Sequence, residues 1–239
     1  MGAFVTRTPE LAREEAAAAD RLLAQGPHPE RPLLGLPIAF KDLQPIAGVP
    51  VTNGSAAVPP TTADQEDVRA VGLIRIAGAV ALGNTHAPEL GIPCCTDTAV
   101  VGRPAVPPYD TSRCASGTSG GVAAAVAAGL IPVGHGTDGA GSMCTPSAAC
   151  GLVGVTSSRD VVSTAPDMSF LGFVTVGPLA RTVAYAALLL DAMADTTPTG
   201  LHGSPSRRNY TSTGTCPRSD LVRSDLVRAP ECPSSHRPP

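Results

Sequence analysis

Tryptophan is absent from the 239 residues, and aromatic side chains make up 3% of them. A surface that stacks the bases of a nucleic acid is thereby excluded. Charge is also sparse, at 15% of residues with a net value of −3. Such a balance offers no basic footprint for DNA, RNA or an anionic bilayer, so neither nucleic acid nor membrane is expected as a partner. No stretch approaches the roughly 18 apolar residues of a bilayer span, and the N-terminus lacks a basic-then-apolar leader pattern. The start Met1-Gly2-Ala3-Phe4-Val5-Thr6 formally fits a myristoylation pattern, but no second membrane signal accompanies it. The expected location is the cytoplasm. The seven Cys fall at irregular positions, 94, 95, 114, 144, 150, 216 and 232, and no C-x-x-C pair is among them. A zinc site is therefore not expected, and free thiols are.

Lysine is scarcest of all. Lys41 stands alone against sixteen Arg, and it ends the apolar run Gly35-Leu-Pro-Ile-Ala-Phe-Lys41-Asp42. A lone Lys in such a run adds little solubility. Burial lowers the pKa of an amine, so this Lys can become neutral and act as a base.

Hydrophobic residues make up 43% of the chain, enough for a core. Thr8-Pro9 before Glu10 reads as an N-cap with proline at N1 and an acidic first turn. Leu11, Ala18 and Leu22 share a face of that helix, which Glu15 interrupts, and Gly26 supplies the stop. Strands are expected at 36–40, 80–83, 131–134 and 152–155, and helices at 64–76, 119–128 and 182–193. Alternation of the two argues for an α/β class. The composition shifts after Asp195. Residues 196–239 are rich in Pro, Ser, Thr, Gly and Arg, and hold the tandem copies Arg218-Ser-Asp-Leu-Val222 and Arg223-Ser-Asp-Leu-Val227. Too few large apolar residues remain there to offset the entropy of ordering, so the reading expects a disordered tail after a first unit at 1–195.

Two hydroxyl-bearing Gly-rich segments follow Lys41, and three readings compete for them. Gly134-His-Gly136-Thr-Asp-Gly139 fits G-x-G-x-x-G, with Asp160 about 20 residues on, but that motif must open a helix and Pro146 opposes one. Gly117-Thr118-Ser119-Gly120-Gly121 fits the G-x-S-x-G nucleophile elbow, yet the segment before it is polar and the partner base would be His135 or His202. The third reading joins both segments to Lys41. Residues 139 to 142 supply four consecutive, sterically light backbone N–H groups, as an oxyanion hole requires, and Ser142 ends the run where it can attack the polarised carbonyl.

In this combination the chain resembles the amidase signature family of serine hydrolases. The stretches that carry the resemblance are Gly35 to Asp42, Ala81-Leu-Gly-Asn-Thr-His-Ala-Pro-Glu-Leu90, Gly117 to Gly129, Gly134 to Ser142, Cys150-Gly-Leu-Val-Gly154 and Gly177-Pro-Leu-Ala-Arg-Thr-Val183. Their order and spacing match over about residues 3 to 194. The resemblance implies an amidase-signature fold, a central mixed β-sheet covered by helices, with only its N-terminal to middle part in this chain. It also implies a Lys–cis-Ser–Ser triad. Lys41 matches the lysine and Ser142 the nucleophile. The bridging serine falls on Thr118, because 142 − 118 = 24 residues is the family spacing. Ser119 and Asp138 match supporting positions, and the amides of Gly139, Ala140, Gly141 and Ser142 match the oxyanion hole. The implied reaction hydrolyses a small carboxylic amide to an acid and ammonia or an amine through an acyl-enzyme, with no metal or cofactor. The rival expectation is an impaired or inactive amidase-like fragment.

This chain departs from the family in three places. Thr118 keeps a hydroxyl but adds a methyl that restricts χ1, which predicts lowered activity. Cys144 replaces the arginine of the family's Gly-Ser-Ile-Arg motif, removing a guanidinium beside the nucleophile loop. Thr156-Ser-Ser-Arg-Asp160 replaces Lys-Pro-Ser-Arg-Gly.

Overall fold

Strand β1 (Phe4–Arg7) leads through Thr8 into helix α1 (Pro9–Leu23), followed by β2 (Pro37–Lys41), α2 (Arg69–Ile76) and β3 (Val80–Thr85). Then come α3 (Gly120–Ala127), β4 (Val133–Asp138), α4 (Cys144–Cys150), β5 (Val153–Gly154), β6 (Thr175–Ala180) and α5 (Val183–Met193). This computed structural model describes residues 1–60, 66–159, 161–164 and 172–194. The tail expected at 196–239, its tandem copies, His202 and Asp160 lie outside the described residues.

The strands form two ladders. In one, β3 lies between β1, which it meets antiparallel, and β2, which it meets parallel, giving the mixed pairing expected. In the other, β6 lies between β4 and β5, all antiparallel. Strand β2 packs against β4, and the Phe40 and His135 rings meet there at 5.8 Å between centroids.

Side-chain alternation along β2 sorts the core. Ile38 and Phe40 join Val71, Ile74, Val133, Leu189 and Met193, beneath α2 and α5. Ala39 joins Val122, Val126, Ile131, Met143 and Leu179, around α3. Successive residues of a strand face opposite sides, so Lys41 falls on the side of Ala39, toward α3. Helix α3 reads Gly-Gly-Val-Ala-Ala-Ala-Val-Ala and is buried over nearly its whole length. Only small residues let a helix sit so close to two ladders.

Local chemistry explains several boundaries. Thr8 begins α1, but its hydroxyl donates to the Ala81 carbonyl at 3.1 Å rather than capping the helix. Glu15, the flaw in the apolar stripe, accepts from Arg75 Nη2 at 2.7 Å and from the Ala81 amide at 2.7 Å. It thereby ties α1 to α2 and β3. Helix α2 starts at Arg69, later than the sequence suggests, because the Asp67 carboxylate is engaged by the Ala47 amide at 2.8 Å and by Arg75 Nη1. Thr182 caps α5 by accepting the Tyr185 amide at 3.3 Å. Pro146 does not exclude a helix after the second Gly-rich segment. It sits in the first turn of α4, where an N–H has no intrahelical partner to lose.

Candidate active site

The second Gly-rich segment is largely not a loop. Residues 134 to 138 belong to β4 and pair in register with β6, from Gly134 opposite Leu179 to Asp138 opposite Thr175. Glycine is needed in this strand because α3 presses on it. A Cβ at Gly134 would lie 2.4 Å from Val122 Cγ1 of α3. One at Gly136 would lie 3.1 Å from Ser119 Oγ, at the start of that helix, and 2.6 Å from Leu179 Cδ1 of β6. The turn proper begins at Gly139, so the strand delivers Thr137 and Asp138 to the site and the turn delivers Ser142.

The first Gly-rich segment enters α3 through two residues with positive φ, Ser116 (62°) and Gly117 (53°). Side chains are strained in that region. At Gly117 a Cβ would also lie 2.4 Å from Pro146 Cδ, so only glycine fits. Thr96 braces the turn from behind. Its hydroxyl donates to the Gly117 carbonyl at 2.7 Å and accepts the Gly120 amide at 3.2 Å.

These supports bring Thr118 to Lys41. Lys41 is fully buried at the end of β2, and its Nζ donates to Thr118 Oγ1 at 2.5 Å. It also donates to Thr137 Oγ1 at 2.8 Å and to the Thr137 carbonyl at 3.4 Å. Burial pulls the Lys41 ammonium down from 10.5 to about 7, with the Asp138 charge opposing. The amine is therefore substantially neutral near pH 7. Thr137 was not singled out in the sequence. Its position next to Asp138, in a segment already suspected, is the signal that could have found it.

Next to Lys41 in the chain, Asp42 is buried and accepts from Thr52 Oγ1, from the Thr52 amide at 3.2 Å, from the Gly54 amide at 3.3 Å and from Asn84 Nδ2 at 3.2 Å. Burial raises its carboxyl above the ordinary value, and those donors only partly offset it.

At the other end of the site, Asp138 closes the turn that carries Ser142. One carboxylate oxygen accepts the amides of Gly141 (2.6 Å) and Ser142 (2.9 Å). The other accepts the Met143 amide and Thr156 Oγ1, both at 2.9 Å. Burial would raise this carboxyl, yet the donors overrule it and hold it below its ordinary value. Of the four amides expected to face an oxyanion, Asp138 thus engages two, Gly141 and Ser142, and leaves aside those of Gly139 and Ala140. The two segments meet where the Ser119 amide donates to the Ser142 carbonyl at 3.3 Å. Ser142 is half-buried, and its Oγ has no hydrogen-bond partner among the described residues.

Two of the departures from the family meet in space. Cys144 Sγ lies 3.5 Å from Thr156 Oγ1, which in turn donates to Asp138. Uncharged groups thus stand at both positions where the family carries cations.

The rival readings find no matching geometry. Ser119 Oγ is buried and donates to the Thr137 carbonyl at 3.2 Å. His135 is buried, and neither of its ring nitrogens has a partner among the described residues. Burial first, and the Lys41 charge second, push that imidazole down to about 3. Among the described residues no nucleophile–histidine pair of the elbow type forms. The turn after β4 opens no helix directly, as a dinucleotide site would require, since α4 begins only at Cys144. Among the described residues no group of His, Cys, Asp and Glu is arranged to hold a metal ion, and no helix is long and apolar enough to cross a membrane.

Comparison with known proteins identifies the family. The amidase family model matches residues 1–219. The putative amidase AmiB2 of Mycobacterium tuberculosis is 48% identical over 186 residues, which cover 77% of this chain and 39% of that protein. The native peptide amidase from Stenotrophomonas maltophilia superposes with a TM-score of 0.74 at 31% identity, over 87% of this chain and 44% of that one. The 6-aminohexanoate cyclic dimer hydrolase, solved with its substrate, gives 0.75 at 31% identity, over 87% and 42%. This chain therefore spans less than half the length of these relatives. On the extent of the family match and on these identities, the chain belongs to the amidase family.

Proposed function

We propose that this chain carries the catalytic relay of an amidase, hydrolysing a small-molecule carboxylic amide to an acid and ammonia or an amine. The observation that carries the reading is the short contact between Thr118 Oγ1 and a buried Lys41 whose pKa is lowered to about 7. Lys41 Nζ takes the Thr118 proton as the Thr118 oxygen takes that of Ser142 Oγ, which attacks the amide carbon. The developing oxyanion is held by the amides of Gly139 and Ala140, joined by those of Gly141 and Ser142 as they share their protons with Asp138. The relay then runs backward. The proton from Lys41 passes through Thr118 to the leaving nitrogen, the C–N bond breaks, and an acyl group remains on Ser142. Water, deprotonated by the same relay, releases the acid.

Thr137 and Ser119 position this relay. The Thr137 hydroxyl fills one hydrogen-bonding direction of Lys41 Nζ, so another is aimed at Thr118. A second reading, a scaffold with impaired turnover, is favoured by the commitment of the Gly141 and Ser142 amides to Asp138.

Covalent labelling with a fluorophosphonate probe separates the two. Labelling that is lost in Ser142→Ala and Lys41→Ala, but kept in Ser119→Ala, supports the relay. Soluble, folded protein that takes no label supports the impaired scaffold. Loss confined to Ser119→Ala would return the elbow reading.

A further inference from the structure

Outside the relay, the densest group of nucleophilic side chains is a set of cysteines on the two segments behind the Thr118 turn. Cys94 and Cys95 are exposed, Cys114 is half-buried and Cys150 is buried, and all four are free thiols. The Cys114 and Cys94 thiols lie near enough to Cys95 to raise its pKa. The backbone shows why they meet. Thr96, next to Cys95, is bonded to Ala105 through the Ala105 amide at 2.8 Å, and Ala105 in turn accepts the Ala115 amide at 2.7 Å, next to Cys114. The Thr96 hydroxyl then reaches across to the Gly117 carbonyl and the Gly120 amide. The segments bearing the two thiols are therefore held together just after each cysteine. A covalent bond between them would join segments that already touch rather than pull distant chains together.

We propose that Cys95 and Cys114 form a dithiol site that is oxidised to a disulfide by small-molecule disulfides of the glutathione class. As a thiolate, one of the pair attacks the small disulfide, RSSR, breaks its S–S bond and expels RS⁻. The second thiol, losing its proton, displaces the other RS⁻ from the mixed disulfide. The sum is two cysteine thiols oxidised and one RSSR reduced to two RSH, with the two cysteine protons taken up by the leaving thiolates. Exposure of Cys95 gives the oxidant access, and proximity of Cys114 makes the second step intramolecular. The Cys114 thiol and burial together push the Cys95 thiol up to about 11, so the exchange is slow and needs excess oxidant rather than acting as a hair trigger. Cys144 stands apart, against Thr156, and is not a member of the pair.

The test uses the full chain, reduced and then incubated with excess oxidised glutathione, alkylated, digested with trypsin without reduction and sequenced by tandem mass spectrometry. Arg113 and Arg159 are cleavage sites that place Cys95 and Cys114 on different peptides. The expected result is one dominant linkage joining Cys95 to Cys114, reversed by dithiothreitol, kept in Cys94→Ser and lost in both Cys95→Ser and Cys114→Ser. A dominant vicinal Cys94–Cys95 bond would overturn the proposal. So would any other pairing, including those with Cys144, Cys150, Cys216 or Cys232, and so would stable mixed disulfides without an internal link. Because the decisive linkage is read in the unmutated protein, a variant that fails to fold does not blur the outcome.

Discussion

The two ends of the candidate site are built on opposite principles. The lysine end is dry. Lys41 is fully buried, its Nζ is met by neutral oxygens of Thr118 and Thr137, and the nearest opposing charge, Asp138, only partly offsets the desolvation that depresses its pKa. The serine end is wet and ionic. Ser142 is half-buried, and a carboxylate kept charged by four donors shapes its turn. A low-dielectric pocket makes a base by withholding a counter-charge. In the proposed mechanism a polar turn shapes an oxyanion site by committing a counter-charge to its geometry. Keeping these demands on separate segments, β2 and the β4–α4 turn, lets each be met without spoiling the other.

Breaking the lysine end should have the largest effect. Lys41→Met keeps the volume but removes the base, and Thr118→Val keeps the shape but removes the relay hydroxyl. Each is expected to lower the rate of probe labelling by about 10²–10⁴-fold, with folding checked by circular dichroism. At the serine end, Asp138→Asn turns one acceptor into a donor that faces N–H groups. Denaturant unfolding should report a loss of about 2–3 kcal/mol.

Acidity sharpens the contrast further. With the Lys41 ammonium at about 7, the labelling rate should rise through an apparent pKa near that value and be lost below it. Stability follows the same sign, because the unfolded chain binds this proton more tightly. The contribution of Lys41 therefore grows as pH climbs from about 7 to 10.5. His135 acts in a lower window. Its folded value of about 3 against an ordinary 6.5 means that stability falls as pH drops through that interval, and His135→Leu should flatten the fall in acid-unfolding curves.

A smaller change is expected from Thr118→Ser, which frees χ1 and should raise the labelling rate by up to about ten-fold, the equivalent of relieving an off-rotamer side chain. Cys144→Ser is the least consequential. Its one side-chain hydrogen-bonding contact among the described residues is 3.5 Å long, and unfolding should move by no more than about 0.5 kcal/mol.

What the sequence made legible divides along the same line. Lys41 was legible because a single Lys in an apolar run is chemically anomalous, and Ser142 because small residues precede it. Thr137 was hidden, since nothing local distinguishes it from any other threonine and its role comes from β4 lying beside β2. The strand character of residues 134 to 138 was hidden for a related reason. Two glycines in five residues read as a turn, and only pairing with β6, some 40 residues on, makes them a strand. Strand β6 was itself obscured by Gly177-Pro178, a pair that argues against a strand in isolation. Strand β1, four residues long, is fixed by β3 rather than by any pattern of its own. Glu15 shows the converse. It read as a flaw in an amphipathic helix, and it is the residue that fastens that helix to two neighbours.

The grip of Asp138 on the turn after β4 is uneven, and that unevenness has a consequence for how the site can change over generations. The carboxylate anchors residues 141 to 143 and leaves Ala140, which is exposed, outside its hold. Substitutions at that exposed position can alter what approaches Ser142 while the backbone that aims Ser142 stays where it is. The turn thus separates backbone that the carboxylate fixes from a position whose side chain can change without loosening that backbone.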